Sequence, residues 1–193
     1  GSRNDPAETT GLAHYFEHLM FKGTTHFGTS DYEKEKPLLD DIRARFEVYR
    51  LEKDPDRRKQ LYHEIDSVSQ LAAQYFIPNE YDKMMSNMGA IDINAYTSYD
   101  ETCYHEDIPS NELDTWLRIQ SDRFQNAVIR GFHTELETVY EEFNMRLAQD
   151  SRKLRNATFR ILYPTHPYGT QITLGTQEHL KNPSILNIEN YYK

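Results

Sequence analysis

Residues 11–23 read GLAHYFEHLMFKG and place His14, Glu17 and His18 within five positions. Polar Thr9 and Thr10 stand before the stretch, and Gly23 with the GTTHFGTSD loop stands after it, boundaries that predict a helix between them. Such a helix turns about 100° per residue, so His14 and His18 lie about 40° apart and one turn separates them. Glu17 falls about 60° to the other side of His14, on the same face. Leu12, Phe16, Leu19 and Met20 fall opposite, so the helix can pack by one face and present a polar triad by the other.

Two imidazoles one turn apart can reach one ion. With a single carboxylate from elsewhere they form a three-ligand zinc site whose fourth position is open to water, the catalytic rather than the structural pattern. Zinc lowers the pKa of that water to about 7, and a neighbouring carboxylate can then take its proton. Glu17 is placed for that role. The order H-x-x-E-H is the inverted counterpart of the H-E-x-x-H zinc-protease signature. The plain alternative is a polar helix face that arises by chance in a chain with eight histidines.

The third ligand is sought in GFHTELETVYEEFNMRLAQD. Its apolar stripe, Phe132, Leu136, Val139, Phe143 and Leu147, has core-helix spacing. Glu135 and Glu142 are seven apart and nearly eclipsed at the border of that stripe, whereas Glu141 points away from it. The geometry prefers Glu142 or Glu135 as the inward ligand; solvated acids on a surface helix are the alternative.

Around these elements, apolar residues from about Asp31 to Tyr75 recur at steps of three and four and are interrupted by EKDPDRR, which predicts a charged helical hairpin. AIDINAYTSYDETCYHEDI is the best strand candidate. Helices are expected from near Ser110 and over about His133 to Leu154, and the tail YPTHPYGTQITLGTQEHL reads as a loop leading to a short helix. Trp116 and Leu117 are expected in the core, His63 in solvent and His166 as a hydrogen-bonding loop residue.

At 193 residues the chain is long enough for one domain. It carries 22 basic and 31 acidic residues, a net charge of −9 that disfavours nucleic acid and anionic membrane surfaces as partners. No apolar run approaches the roughly 20 residues that span a bilayer, so the chain reads as soluble. Cys103 stands alone and cannot form an internal disulfide; a buried structural thiol is expected. Hydrophobic content is 37% and strands are scarce, so flanking strands of the natural protein are expected to be missing.

Taken together, these motifs resemble the pitrilysin/insulinase family of zinc metallopeptidases, the M16 or inverzincin family, which includes the mitochondrial processing peptidases. GLAHYFEHLMFKGT is similar to the family's H-x-x-E-H helix and its Phe-Lys-Gly-Thr turn, INAYTSYDETCYHEDIP to its Asn-Ala-x-Thr strand, LETVYEEFNMR to its third-ligand helix, and HPYGTQITLGTQEHL to its His-Pro-Tyr-Gly segment. They occur in the family's order. The resemblance implies an α+β, LuxS/MPP-like M16 fold over residues 1–193, here a helix-rich N-terminal catalytic portion. It implies one zinc per chain held by His14, His18 and Glu142, with Glu17 as general base and Glu135 as a supporting acid in the catalytic set. Asn94 and Ala95 would belong to an edge strand that pairs with an extended peptide substrate.

The gap from His18 to Glu142 exceeds the family's usual one, so residues 31–78 are expected to be an inserted helical hairpin. The resemblance also implies a second homologous half, in the same or another chain, that contributes an Arg and a Tyr to the substrate. It points to a bacterial protein, periplasmic, secreted or cytoplasmic. The alternative function is a non-catalytic scaffold or partner-binding subunit of the same fold.

Overall fold

Apolar residues at steps of three and four make most of this chain helical. The computed structural model describes residues 1–192. Its elements run α1 (Leu12–Leu19), α2 (Tyr32–Leu51), α3 (Pro55–Ala73), α4 (Glu80–Asn87), β1 (Ile91–Thr97), β2 (Thr102–Asp107), α5 (Leu113–Gln125), α6 (Phe132–Leu147), α7 (Asp150–Leu162), α8 (Pro167–Thr170), α9 (Gln177–Lys181) and α10 (Ile185–Tyr192). Among the described residues the only sheet is the β1–β2 pair. The fold is therefore helix-rich α+β, as expected.

Several boundaries differ from the sequence reading. The single strand expected over AIDINAYTSYDETCYHEDI is a hairpin, folded at Ser98 to Glu101, where the Ser98 N–H donates to the Glu101 carbonyl at 2.8 Å. The helix expected to run to Leu154 breaks at Ala148–Gln149, because Gln149 is extended (φ −79°, ψ 120°) and α7 starts afresh behind it. Helix α4 was not foreseen: it is short, and only Tyr81 and Met85, one turn apart, are buried on it. Leu117 is half exposed rather than core, while Trp116 is partly buried against the core. Cys103 is only partly buried. His63 is exposed, and His166 accepts the N–H of Tyr168 at the start of α8, both as expected.

The chain divides into two compact units, Gly1–Glu17 with Tyr96–Cys103 and the residues from Thr134 on, and His18–Ala95 with Tyr104–His133. The second unit centres on Phe27, Tyr81, Met85 and Ala90, flanked by Phe21 and Trp116. Two arginines are wholly buried in it. Arg123 lies 4.3 to 4.7 Å from the ring centres of Phe21, Tyr81 and Tyr104, donates to the Met20 carbonyl at 2.9 Å and faces the buried Glu106 carboxylate at 3.6 Å. Arg130 donates to Glu35 at 2.7 Å and to the carbonyls of Lys22 and Thr24 at 2.9 and 3.0 Å. It thus clamps the Phe-Lys-Gly-Thr turn. Gly23 in that turn has φ +99°, and a Cβ there would meet the Phe27 carbonyl oxygen at 2.4 Å, so no other residue fits.

In the first unit the helical segment carrying His14 is fixed at its N-terminus. The buried Asp5 carboxylate accepts the Gly11 N–H at 2.7 Å and the Ala13 N–H at 3.1 Å, satisfying amides that the first helical turn leaves open. Thr10, which with Thr9 leads into the helix, gives its N–H to His179 Nδ1 at 3.0 Å. Phe16 stacks on Tyr192 at 4.7 Å, with Ile185 and Ile188 buried on the same α10.

Burial raises the Asp5 pKa to about 6, outweighing the two amide hydrogen bonds that lower it. The folded chain therefore holds this proton more tightly than the unfolded one. That contribution to stability is complete below about pH 4 and is lost as pH rises through 6, a change of about 3 kcal/mol. Asp5→Asn removes the titration. Between pH 4 and 7 the difference in unfolding free energy between the two proteins, from urea denaturation, should move by about 3 kcal/mol in the variant's favour; parallel curves would show that burial does not control this carboxyl.

Candidate metal centre

Helix α1 is buried along its length save for the partly exposed His18. The polar triad thus sits on a buried helix, with His14 at 4% and Glu17 at 8% exposure. Buried polar groups must find partners. His14 Nε2 lies 3.5 Å from Glu142 Oε2. One ligand atom from each of His14, His18 and Glu142 lies within 4.8 Å of the other two.

These dimensions can be tested against a metal. Ligands about 2.1 Å from a tetrahedral zinc stand about 3.4 Å from one another. The His14–Glu142 separation matches that edge, and two nitrogens with one oxygen are a donor set that zinc accepts. The residues present fit the ion.

Glu142 is held on its other side. Its Oε1 pairs with Nη2 of Arg146, one turn on in α6, which leaves Oε2 facing His14. Glu135, two turns before Glu142 on the same helix, is buried. It lies close enough to Tyr15 that, after burial itself, its charge is what lifts the phenol well above its ordinary range. Glu141, by contrast, is exposed. The preference for Glu135 and Glu142 as inward residues agrees with this burial.

Glu17 accepts a short hydrogen bond on Oε2 from the hydroxyl of Thr97, the last residue of β1. Thr102 stands opposite, its hydroxyl 3.2 Å from that of Thr97. Asn94 and Ala95 lie in β1, Asn94 exposed, with its Oδ1 accepting the N–H of Ala95 at 2.9 Å. That amide is thereby occupied by the neighbouring side chain.

Sequence reasoning missed Thr97, Arg146 and Asp5 as supports. Thr97 was inside a quoted motif, but its bond to Glu17 is a contact between residues 80 apart. Arg146 was readable at four residues from Glu142.

Residues 1–38 and 59–173 match the sequence profile of "Insulinase (Peptidase family M16)". The unmatched residues 39–58 cover the end of α2, the turn and the start of α3. A nardilysin-like protein of Arabidopsis thaliana is 26% identical over 170 residues, 87% of this chain and 12% of the relative. The mitochondrial-processing peptidase subunit beta of Neurospora crassa is 26% identical over 198 residues, all of this chain and 30% of the relative. The crystal structure of pitrilysin superposes with a TM-score of 0.61 at 18% identity, over the whole of this chain and 16% of that one. The chain spans less than a third of each of these proteins. With the profile covering most of its length and the fold in agreement, the chain belongs to the insulinase (M16) peptidase family.

Proposed function

We propose that the protein is a zinc-dependent endopeptidase that hydrolyses peptide bonds of extended or unfolded peptides, and that this chain forms part of its catalytic half. The approach of His14, His18 and Glu142 to within 4.8 Å of one another, with the buried Glu17 on the same helix, is the observation that carries the reading.

A zinc ion bound by these three side chains would polarise the scissile carbonyl and acidify a water. The chain supplies the rest. Glu17 takes the proton of the attacking water and later gives it to the leaving amine. Thr97 is a positioning residue: by donating to Oε2 it fixes the carboxylate's rotamer and leaves Oε1 for the proton. Arg146 orients Glu142, as residues behind a metal ligand commonly do. Glu135 contributes a second negative charge on the inward face of α6. Asn94 and Ala95 lie on a strand that an extended peptide can join by main-chain pairing, with the Asn94 side chain giving up the Ala95 N–H as it does. The second homologous half typical of the family completes the substrate site.

Zinc retained after dialysis, read by elemental analysis, tests the site directly. About one ion per wild-type chain and a clear fall in Glu142→Gln are expected; no zinc in either would favour the scaffold reading. In the intact enzyme Glu17→Gln should keep the metal and slow turnover by about 10²–10⁴-fold. Thr97→Val should keep the metal and KM and lower kcat by about tenfold, the cost of one hydrogen bond to a charged group, with Thr97→Ser restoring it. Unchanged turnover in Glu17→Gln would remove that residue from the base role.

A further inference from the structure

In a chain of net charge −9, the first unit gathers cations around one cleft. Arg146, Arg152, Lys153 and Arg155 all line it, with Tyr99, around a partly enclosed cavity of about 50 Å³. That is room for a single small polar group such as a carboxylate, not for a whole drug-sized ligand.

The four cations are not equally neutralised. Arg146 pairs with Glu142, and Lys153 pairs with Asp150 at 2.9 Å. Arg155 stacks its guanidinium over the rings of Tyr99 and Phe159, at 5.9 and 5.4 Å from their centres, with no carboxylate in either contact. Arg152 has no ion-pair or side-chain hydrogen-bond partner among the described residues. Burial, followed by the like charges of Arg146 and Arg155, depresses its proton affinity, and the charge of Glu142 offsets this only in part. Two positive charges thus face the cleft with no carboxylate in direct contact, the nearby Glu142 already being paired with Arg146, and their mutual repulsion is a standing cost that an anion would relieve.

The rest of the lining narrows the anion's chemistry. Leu147, Ile172 and Leu174 form part of the wall. A bare, fully hydrated inorganic anion gains nothing from that surface, whereas a carboxylate carried on a short aliphatic stem places its methylenes there and its oxygens on the guanidinium forks. The cleft shares Arg146 with Glu142, so its occupant would sit one side chain away from the proposed metal ligand.

We propose that this cleft is a subsite for a carboxylate of the peptide substrate, an acidic side chain or the chain's own C-terminus, with Arg152 and Arg155 as its anchors. The proposal deepens the peptidase reading and rests on it for the identity of the ligand, but its test needs neither zinc nor turnover.

Calorimetric titration of the metal-free chain with three peptides distinguishes the sources. The first carries an internal Glu and an amidated C-terminus; the second has Gln in place of that Glu; the third is the Gln peptide with a free C-terminus. A carboxylate-bearing peptide, either the first or the third, is expected to bind about tenfold more tightly than the neutral one at low salt, and whichever does so identifies the source. Arg152→Gln should erase that preference while leaving the far-ultraviolet circular dichroism and the melting temperature unchanged, and Arg152→Lys should keep part of it. Equal binding of all three peptides overturns the proposal, as does discrimination that survives Arg152→Gln. Binding of inorganic phosphate with no preference among the peptides overturns it as well. A chain that shows the preference yet holds no zinc would leave this subsite standing and remove the catalytic reading instead.

Discussion

The first unit is organised by the requirement that a helical segment bearing His14 and Glu17 be buried on nearly every side. A polar group in such a place costs several kcal/mol unless another polar group meets it. Each neighbour of α1 can be read as an answer to that demand. Asp5 meets the open amides at its N-terminus, Thr97 meets Glu17, and Glu142 meets His14. Glu142 in turn would be a poorly placed charge without Arg146. The apolar contacts around the helix, such as Phe16 on Tyr192, supply the driving force but carry no directional information; the polar contacts fix its rotation about its axis.

The second unit solves the same kind of problem with arginine. Arg123 is enclosed by aromatic rings, the Met20 carbonyl and the Glu106 carboxylate, and Arg130 by the carbonyls of Lys22 and Thr24 and the Glu35 carboxylate. Guanidinium is suited to this, because its five donors can satisfy several carbonyls at once and its face can lie against a ring. Breaking one partner away from such a pair commonly costs 3–5 kcal/mol, by the charge it strands. Arg130 therefore does for the turn after α1 what Asp5 does for the turn before it, by using backbone carbonyls where Asp5 uses backbone amides.

What the sequence made legible follows from the range of the forces involved. Periodicity within one helix is local, so the shared face of His14, Glu17 and His18, the inward placing of Glu135 and Glu142, and the helical pair on either side of EKDPDRR could all be read from spacing. The break between α6 and α7 could not, because neither glycine nor proline marks it; Gln149 leaves the helix only in the folded context. Helix α4 was hidden for the converse reason: eight residues with two buried side chains carry too little pattern to separate from a loop. Leu117 was misassigned because one apolar residue beside Trp116 has no periodic company to show which way it faces. Thr97 and Asp5 were missed because their partners are tertiary.

The placing of Glu142 has a further electrostatic consequence. Two carboxylates lie near His14, Glu17 on the same helix and Glu142 facing its Nε2. A region of that sign attracts a cation, and this favours a divalent ion over a purely structural hydrogen-bonded cluster. Yet the same charges would repel an acidic peptide, so selectivity for one requires compensating positive charge close by. Arg146 stands at that junction. It neutralises the outer oxygen of Glu142 and, on its other side, opens the run of cations that continues through Arg152 and Arg155. The reversal of sign is achieved within a few side chains of α6 and α7, where the low dielectric of partly buried surroundings lets opposite fields persist side by side with little screening between them.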